Sequence, residues 1–477
     1  MNVVSYKQPQ GFSIFFLTEM WERYGFYVIQ TVLVFYILHK LHLNDSISYT
    51  IAGSFTALAY INSFFGGIIA DKFIGSNIAI LIGGILLFIG YMILGLIQNP
   101  IGLTISLGLI SSGTGMVKPN ISSLLSTLYT PDDKRKDAGY VLYYVGIYVG
   151  ALGGGLLGGY ISSYMGWRAT FISAAVGIAL GIAIYLHGKI KFNITDKRKT
   201  YLQFIDYTYA SISIIVMLVI SCVVLHSEFL AILYFIVMAI LCLGFILFAI
   251  ITHHGVERKK LIAFSLLIIM AVFYWAIFYQ QFFSISLCIE RVCKLPYNIP
   301  ASSVPAVESL CVILFGPLIN YVWLYFSNRG KEISIPAKFS SSFLLNSFCF
   351  ILISAGLWYS MSQGEPMNPV YILLAYAFVA IGELCISPTS LSMVSELVPK
   401  RYSSAMMGIS LLSIGFGGKL AGLLAYQSHI VDVEHTTIPA MQLIYLHSFI
   451  SYFIISITTF IVSIILGIYI KKLLLVR

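Results

Sequence analysis

The sequence predicts an all-α, polytopic membrane protein with about fourteen transmembrane helices. Of its 477 residues 59% are apolar and only 10% are charged, where a soluble domain carries about 25% charged residues. The apolar residues gather into long runs parted by short polar stretches. About 20 such residues form a helix that crosses a bilayer, and 477 residues hold twelve to fourteen of them with short loops.

The candidate spans run near 12–40, 48–71, 76–98, 101–127, 139–164, 168–190, 205–226, 229–253, 260–290, 301–327, 336–361, 368–397, 402–427 and 440–471. The first is too long and too charged for the apolar core of a signal peptide and reads as a retained span. It contains Glu19-Met20-Trp21-Glu22-Arg23-Tyr24-Gly25-Phe26-Tyr27. A charge near the bilayer centre costs about 2.5–3.5 kcal/mol or more, so such residues face a protein interior or a water-filled cavity. Apolar sequence before them (Phe12 to Leu17) and after them (Val28 to Leu38) argues against a headgroup position. Glu19, Glu22 and Arg23 stand at i, i+3 and i+4 on one helix face. That spacing lets Arg23 partner Glu19 and leaves Glu22 within reach of other groups, with Tyr27 continuing the stripe.

The second and third spans are joined by Gly66-Gly67-Ile68-Ile69-Ala70-Asp71-Lys72-Phe73-Ile74-Gly75. Small residues let two helices approach, Asp71 serves the next helix terminus and Lys72 marks a cytoplasmic loop. Lys118 lies inside the fourth span just before Pro119, which frees backbone groups and weakens the helix. Glycines from Gly146 to Gly159 in the fifth span and from Gly408 to Gly422 in the thirteenth permit close helix contacts. The seventh and eighth spans carry little charge and read as an inserted hairpin. Glu308 sits inside the tenth span, and Glu383 lies in the twelfth near Pro388. Lys419, near the outer end of the thirteenth, is expected to snorkel outward.

This divides the chain into an N-terminal six-helix bundle (1–195), an inserted hairpin with its linkers (196–258) and a C-terminal six-helix bundle (259–477). The net charge of +9 follows the loops, at Lys134 to Lys136, Lys189 to Lys199, Arg258 to Lys260, Arg329 to Lys338, Lys400-Arg401 and Lys471-Lys472. All fall on one side of a fourteen-span arrangement, which the positive-inside rule makes cytoplasmic together with both termini. A basic patch for nucleic acid is not expected. The seven cysteines read as small hydrophobes, and only Cys288 and Cys293 could meet in an oxidising space. No zinc-spaced histidine pair, nucleophile elbow or phosphate-cradling loop is present, so an enzyme is not expected. A cation at Lys118 and an anion at Glu383, each at a weakened helix, suit a solute carrying both charges; a structural ion pair between the halves is the plainer alternative.

The loop at Gly66 to Gly75 resembles that of the major facilitator superfamily. With Glu19, Glu22, Arg23 and Tyr27, with Tyr60, with Lys118 before Ser122-Ser123-Leu124-Leu125, with Tyr143-Tyr144 and Gly150, with Pro336 to Phe339, and with Gly382-Glu383-Leu384, Ser387-Pro388 and Leu397-Val398-Pro399, the chain resembles the proton-dependent oligopeptide transporter family over its whole length. The resemblance implies two six-helix bundles rocking about a central site, a bacterial inner-membrane protein and import of di- and tripeptides with protons. No cofactor is expected beyond the proton gradient, and a monomer is expected.

Carried over, Glu19, Glu22 and Arg23 couple proton and substrate movement. Arg23 and Lys118 face the peptide carboxylate, Glu383 holds the amino terminus, and Tyr27 and Tyr60 line the pocket. Asp71, Lys72, Gly75 and Lys118 serve conformational change. Four positions depart from the family pattern: Tyr148 and Glu308 stand where asparagine is usual, Tyr279 where many members have glutamate, and Ser410 where tryptophan is common. Glu308 is expected to take over the carboxylate lost at Tyr279, and Tyr148 and Ser410 together imply a reshaped pocket. The alternatives are a family member for another small solute (an amino acid, nitrate or a peptide-like metabolite) and a nutrient receptor that no longer transports.

Overall fold

The computed structural model describes residues 8–130, 133, 135–192, 194, 203–331 and 333–475. Lys134 and positions 195–200 of the basic linker lie outside the described residues. Among them the α-helices are α1 (Phe12–His39), α2 (Asp45–Ile69), α3 (Gly75–Leu96), α4 (Pro100–Ser126), α5 (Arg135–Lys191), α6 (Phe204–His226), α7 (Glu228–Thr252), α8 (Gly255–Phe278), α9 (Ser284–Val292), α10 (Ala306–Asn328), α11 (Ile335–Gln363), α12 (Val370–Leu397), α13 (Ser403–Ala425) and α14 (Ile438–Leu475).

These helices map onto the expected spans with one change. The fifth and sixth spans, both within α5, are two helical stretches that meet at Gly166, whose non-helical backbone has a φ of +81° in the region that favours glycine. The ninth span is broken into α8 and α9 by a single 3-10 turn at Tyr279–Phe282. Eleven stretches of the described residues are long and apolar enough to span a membrane, and two of them, of 52 and 54 residues, each have the length of two crossings. With α1 and its three charges, the number of crossings is the fourteen expected.

Two compact units form. One comprises the chain as far as Val32 together with Leu58–His226; the other comprises Leu33–Ala57 and Ser227–Arg477. In the first, α3 packs on α4 and α5, and α6 packs on α4. Asn62 of α2 donates to the Ser221 hydroxyl of α6 at 3.0 Å. In the second, α11 lies against α12 and α14, α8 against α13, α10 against α12 and α7 against α8.

The sequence places polar chemistry at weakened turns in both units. Pro119 and Pro388 each remove a helix hydrogen bond. In each case the next side chain donates to the carbonyl four residues back: Asn120 to Met116 and Thr389 to Cys385, both at 2.7 Å. Small residues set the other distances. A Cβ at Gly150 or Gly154 would collide with the carbonyl of Met20 or Tyr24. Glycine there lets α5 lie directly on the charged turn of α1.

Candidate functional site

The first unit gathers a charge-balanced cluster. Glu19, Glu22 and Arg23 are 1%, 4% and 2% exposed. The expected pairing of Arg23 with Glu19 is corrected in its order. Arg23 forks onto its chain neighbour Glu22, with Nε to Oε2 at 2.5 Å and Nη2 to Oε1 at 2.7 Å, while Glu19 Oε1 stands 3.7 Å from Nε. Two parallel bonds to one carboxylate are stronger and more directional than a single helix-face contact. The Thr114 hydroxyl donates to Glu22 at 3.3 Å, and the Arg23 guanidinium lies 4.6 Å from the centre of the Phe26 ring. Tyr143 of α5 is in hydrogen-bond range of Glu19.

Lys118 joins this cluster. Its ammonium lies 4.1 Å over the ring of Tyr60 and acts electrostatically on Glu19, and Tyr60 acts on Arg23. Five of the sequence-predicted residues, Glu19, Glu22, Arg23, Tyr60 and Lys118, are therefore drawn together by α1, α2 and α4. Tyr148 is buried on α5 with its hydroxyl 3.2 Å from that of Tyr144, and Tyr27 is half-buried one turn beyond Arg23. Asp71 and Lys72 are exposed on a five-residue π-turn, Ala70–Ile74, that joins α2 to α3 and closes on Gly75 at φ +74°.

The second unit holds a different arrangement. Glu308 in the first turn of α10 is 1% exposed and Glu383 in mid-α12 is 6% exposed. The two carboxyl groups are in side-chain hydrogen-bond range of each other. Ser309 donates to Glu308 Oε2 at 3.2 Å, while Glu308 Oε1 has no hydrogen-bond partner among the described residues. Tyr279, at the start of the turn that interrupts the ninth span, lies among the rings of Trp275, Phe278 and Phe282. The Ser410 hydroxyl is buried and donates to the Ser390 carbonyl at 3.2 Å.

A family model described as the POT family matches residues 77–442. The chain belongs to the POT family. It is 30% identical over 433 residues to a dipeptide and tripeptide permease B of Xenorhabdus bovienii, covering 89% of this chain and 88% of the relative. To a dipeptide and tripeptide permease B of Salmonella typhimurium it is 27% identical over 442 residues, 90% of each. Its fold resembles that of a peptide transporter POT crystallised in complex with sulfate, at a TM-score of 0.85 and 24% identity over 98% of this chain and 96% of the other. A POT family transporter in complex with 5-aminolevulinic acid gives a TM-score of 0.82 at 25% identity over 98% of both chains. This POT chain is thus a multi-pass membrane protein of the major facilitator fold.

One buried ion pair of the POT chain escaped the sequence reading. Asp45, the first residue of α2, is 1% exposed and accepts both Arg291 guanidinium nitrogens, at 2.7 and 2.8 Å. Arg291 also donates to Tyr445, and the Ile430 amide donates to Asp45. Both charges fall just outside the expected spans, and two residues 246 apart carry no mutual signal in sequence. Lys419 corrects an expectation. It does not snorkel outward but is 5% exposed, with its ammonium donating to Ser54 at 3.0 Å and lying 5.8 Å from the centre of the Phe235 ring. It is held there by Ser54 of α2 and Phe235 of α7. Cys288 and Cys293 are free thiols.

Proposed function

We propose that this protein is a proton-coupled symporter that imports di- and tripeptides across a bacterial inner membrane by alternating access, with both termini cytoplasmic. The observation that carries the reading is the buried Glu19–Glu22–Arg23 cluster with Lys118 in electrostatic range, in a chain whose relatives are named dipeptide and tripeptide permeases. Arg23 and Lys118 together supply two cations beside two carboxylates. If a proton neutralises Glu19 or Glu22, a cation is released to hold a peptide carboxylate, so that proton and substrate bind together.

Glu383 is the partner for the peptide's ammonium. Tyr27, Tyr60 and Tyr148 of the first unit and Tyr279 and Ser410 of the second are the further substrate contacts of this reading, with Tyr27 half-buried one turn beyond Arg23 and Tyr148 standing where a smaller carboxamide is usual. Asp71, Lys72 and Gly75 lie on the loop that would accommodate the change of conformation. The driving force is the proton gradient, worth about 2.3 kcal/mol per proton per 100 mV.

A second reading, a different small solute bearing an amine and a carboxylate, is favoured by the departures at Tyr148 and Ser410 and by the 5-aminolevulinic acid in a structural neighbour. Competition separates the two. Uptake of labelled dialanine into proteoliposomes is expected to be blocked by unlabelled di- and tripeptides and untouched by tetrapeptides, free amino acids or nitrate. Blocking by an amino acid or nitrate, without blocking by peptides, would overturn the peptide reading.

A further inference from the structure

A threonine inside a helix commonly turns its hydroxyl back onto a carbonyl of the preceding turn, as Thr31 does to Tyr27 at 2.8 Å and Thr389 to Cys385 at 2.7 Å. Thr18 of α1 does not. It is 5% exposed, and its hydroxyl has no hydrogen-bond partner among the described residues. A buried hydroxyl left so is costly, and such groups are few in a native interior.

Thr18 faces a cavity of about 20 Å³ inside the first unit. Glu22, one helical turn along α1, lines the same cavity. The rest of the wall comes from α3, α4 and α5 and is mostly apolar, with Leu81, Val117 and Ile182 among its residues. Tyr185 also lines it, and its hydroxyl donates to the Asn77 carboxamide at 2.6 Å. A water molecule needs about 10–15 Å³ of such space and at least two polar partners. The cavity therefore has room for one water, and Thr18 and Glu22 are two partners for it.

Glu22 has a use for that water. As a carboxylate it is served by donors: two guanidinium bonds from Arg23 and a longer one from the Thr114 hydroxyl. Glu19 on its own helix and Tyr91 on α3 are in electrostatic range of it. As an acid its need is reversed, because a protonated carboxyl carries an O–H that must donate. A guanidinium has five donors and no acceptor, so Arg23 cannot receive that O–H. The oxygen of a water in the cavity can, while one of the water's own protons goes to the Thr18 hydroxyl.

We propose that Thr18 and Glu22 hold a single water in this cavity, and that the water receives the O–H of Glu22 when the transported proton is bound there. Resting on the proton-coupled reading above, this makes Thr18 a positioning residue for the coupling proton. The proton joins a Glu22 carboxylate oxygen from bulk water and stays on it while donating to the cavity water. It returns to bulk water when Arg23 closes on the carboxylate again. The cavity water keeps both of its own protons throughout, and no covalent bond of the substrate changes.

A high-resolution crystal structure of the purified full-length protein tests the site. Density for a water between Thr18 Oγ1 and the Glu22 carboxylate is expected in wild type. It is expected to vanish in Thr18→Val, which keeps the shape and removes the hydroxyl, and to return in Thr18→Ser. A dry cavity in wild type, or unchanged density in Thr18→Val, overturns the site whether or not the protein transports peptides. Proteoliposomes test the role. Uptake of labelled dialanine at neutral pH, driven by a membrane potential negative inside, is expected to slow about fivefold in Thr18→Val, as the loss of one hydrogen bond gives. Thr18→Ser is expected to recover it. Exchange of labelled for unlabelled dialanine at acid pH on both sides, where protons are in excess and none moves in net, is expected to keep the wild-type rate in both variants. Equal slowing of uptake and exchange by Thr18→Val would make Thr18 a merely structural residue, and unchanged uptake would remove it from coupling; either overturns the role of the water. If wild type neither accumulates nor exchanges dialanine, the transport reading fails and the density still decides the site.

Discussion

The Glu19–Glu22–Arg23 cluster of the first unit and the Glu308–Glu383 pair of the second are equally withdrawn from water, yet they solve the cost of buried charge in opposite ways. In the first, Arg23 forks onto Glu22 with Glu19 3.7 Å away and Lys118 within electrostatic range, so two anions meet two cations. In the second, two carboxyl groups approach each other, and Glu308 has no ion-pair partner among the described residues. A balanced cluster can stay ionised when empty and changes its charge only when a proton arrives. A close carboxyl pair is stabilised by a proton or a cation.

Several substitutions break or sharpen this contrast. The largest effect is expected from Arg23→Leu, which strips the balance from the first cluster and leaves Glu19 and Glu22 buried against each other. Removing one side of a buried ion pair costs about 3–5 kcal/mol, so a large fall in melting temperature and loss of dialanine uptake are expected, read by thermal shift and proteoliposome assay. Retention of both would mean that the cluster is not held by charge.

Glu308→Lys makes the converse change, giving the second unit the balance of the first. Its ammonium would pair with Glu383 and occupy the amine subsite. Uptake is expected to fall by more than about tenfold, a loss of roughly 1.4 kcal/mol or more of substrate binding, while the melting temperature holds or rises. A variant that still takes up dialanine at the wild-type rate would remove Glu383 from amine binding.

Asp45→Asn probes a balanced pair away from both clusters. Arg291 would keep Tyr445 and lose its carboxylate, and the cost is expected near the lower end of the 3–5 kcal/mol typical of a severed buried pair. Because the pair ties Leu33–Ala57 to the rest of the second unit, protease protection of the loop at 40–44 should fall with it. The smallest effect is expected from Thr114→Val, which removes one neutral donor at 3.3 Å from Glu22. A hydrogen bond to a charged group contributes about 1.5–3 kcal/mol at best, and the length of this one places it lower, so uptake should drop only a few-fold.

Much of this was legible in the chain itself. Hydropathy located all fourteen crossings, because lipid imposes a length and an apolar composition on every one of them. Intramembrane charge picked out Glu19, Glu22, Arg23, Lys118, Glu308 and Glu383, since its cost makes such residues rare without a use. Partner choice was not legible. Helix spacing favours Glu19 for Arg23, yet the guanidinium fork fits Glu22, and rotamer geometry of that kind leaves no trace in periodicity. Lys419 carries a stem long enough to snorkel, and only the packing of α2 and α7 around it reverses the expectation. Asp45 and Arg291 lie at helix ends that read as loop, where charge is ordinary, so their burial together depends wholly on tertiary contact.

The central claim is that proton and peptide move together through the charges of the first unit. Its most direct test is concentrative uptake of labelled dialanine into proteoliposomes under an inward proton gradient, by wild type and Glu22→Gln side by side. Wild type should accumulate the peptide above equilibrium and lose it when a protonophore collapses the gradient, and Glu22→Gln should reach equilibrium only. Accumulation that survives the protonophore, or is as high in Glu22→Gln as in wild type, would contradict the account.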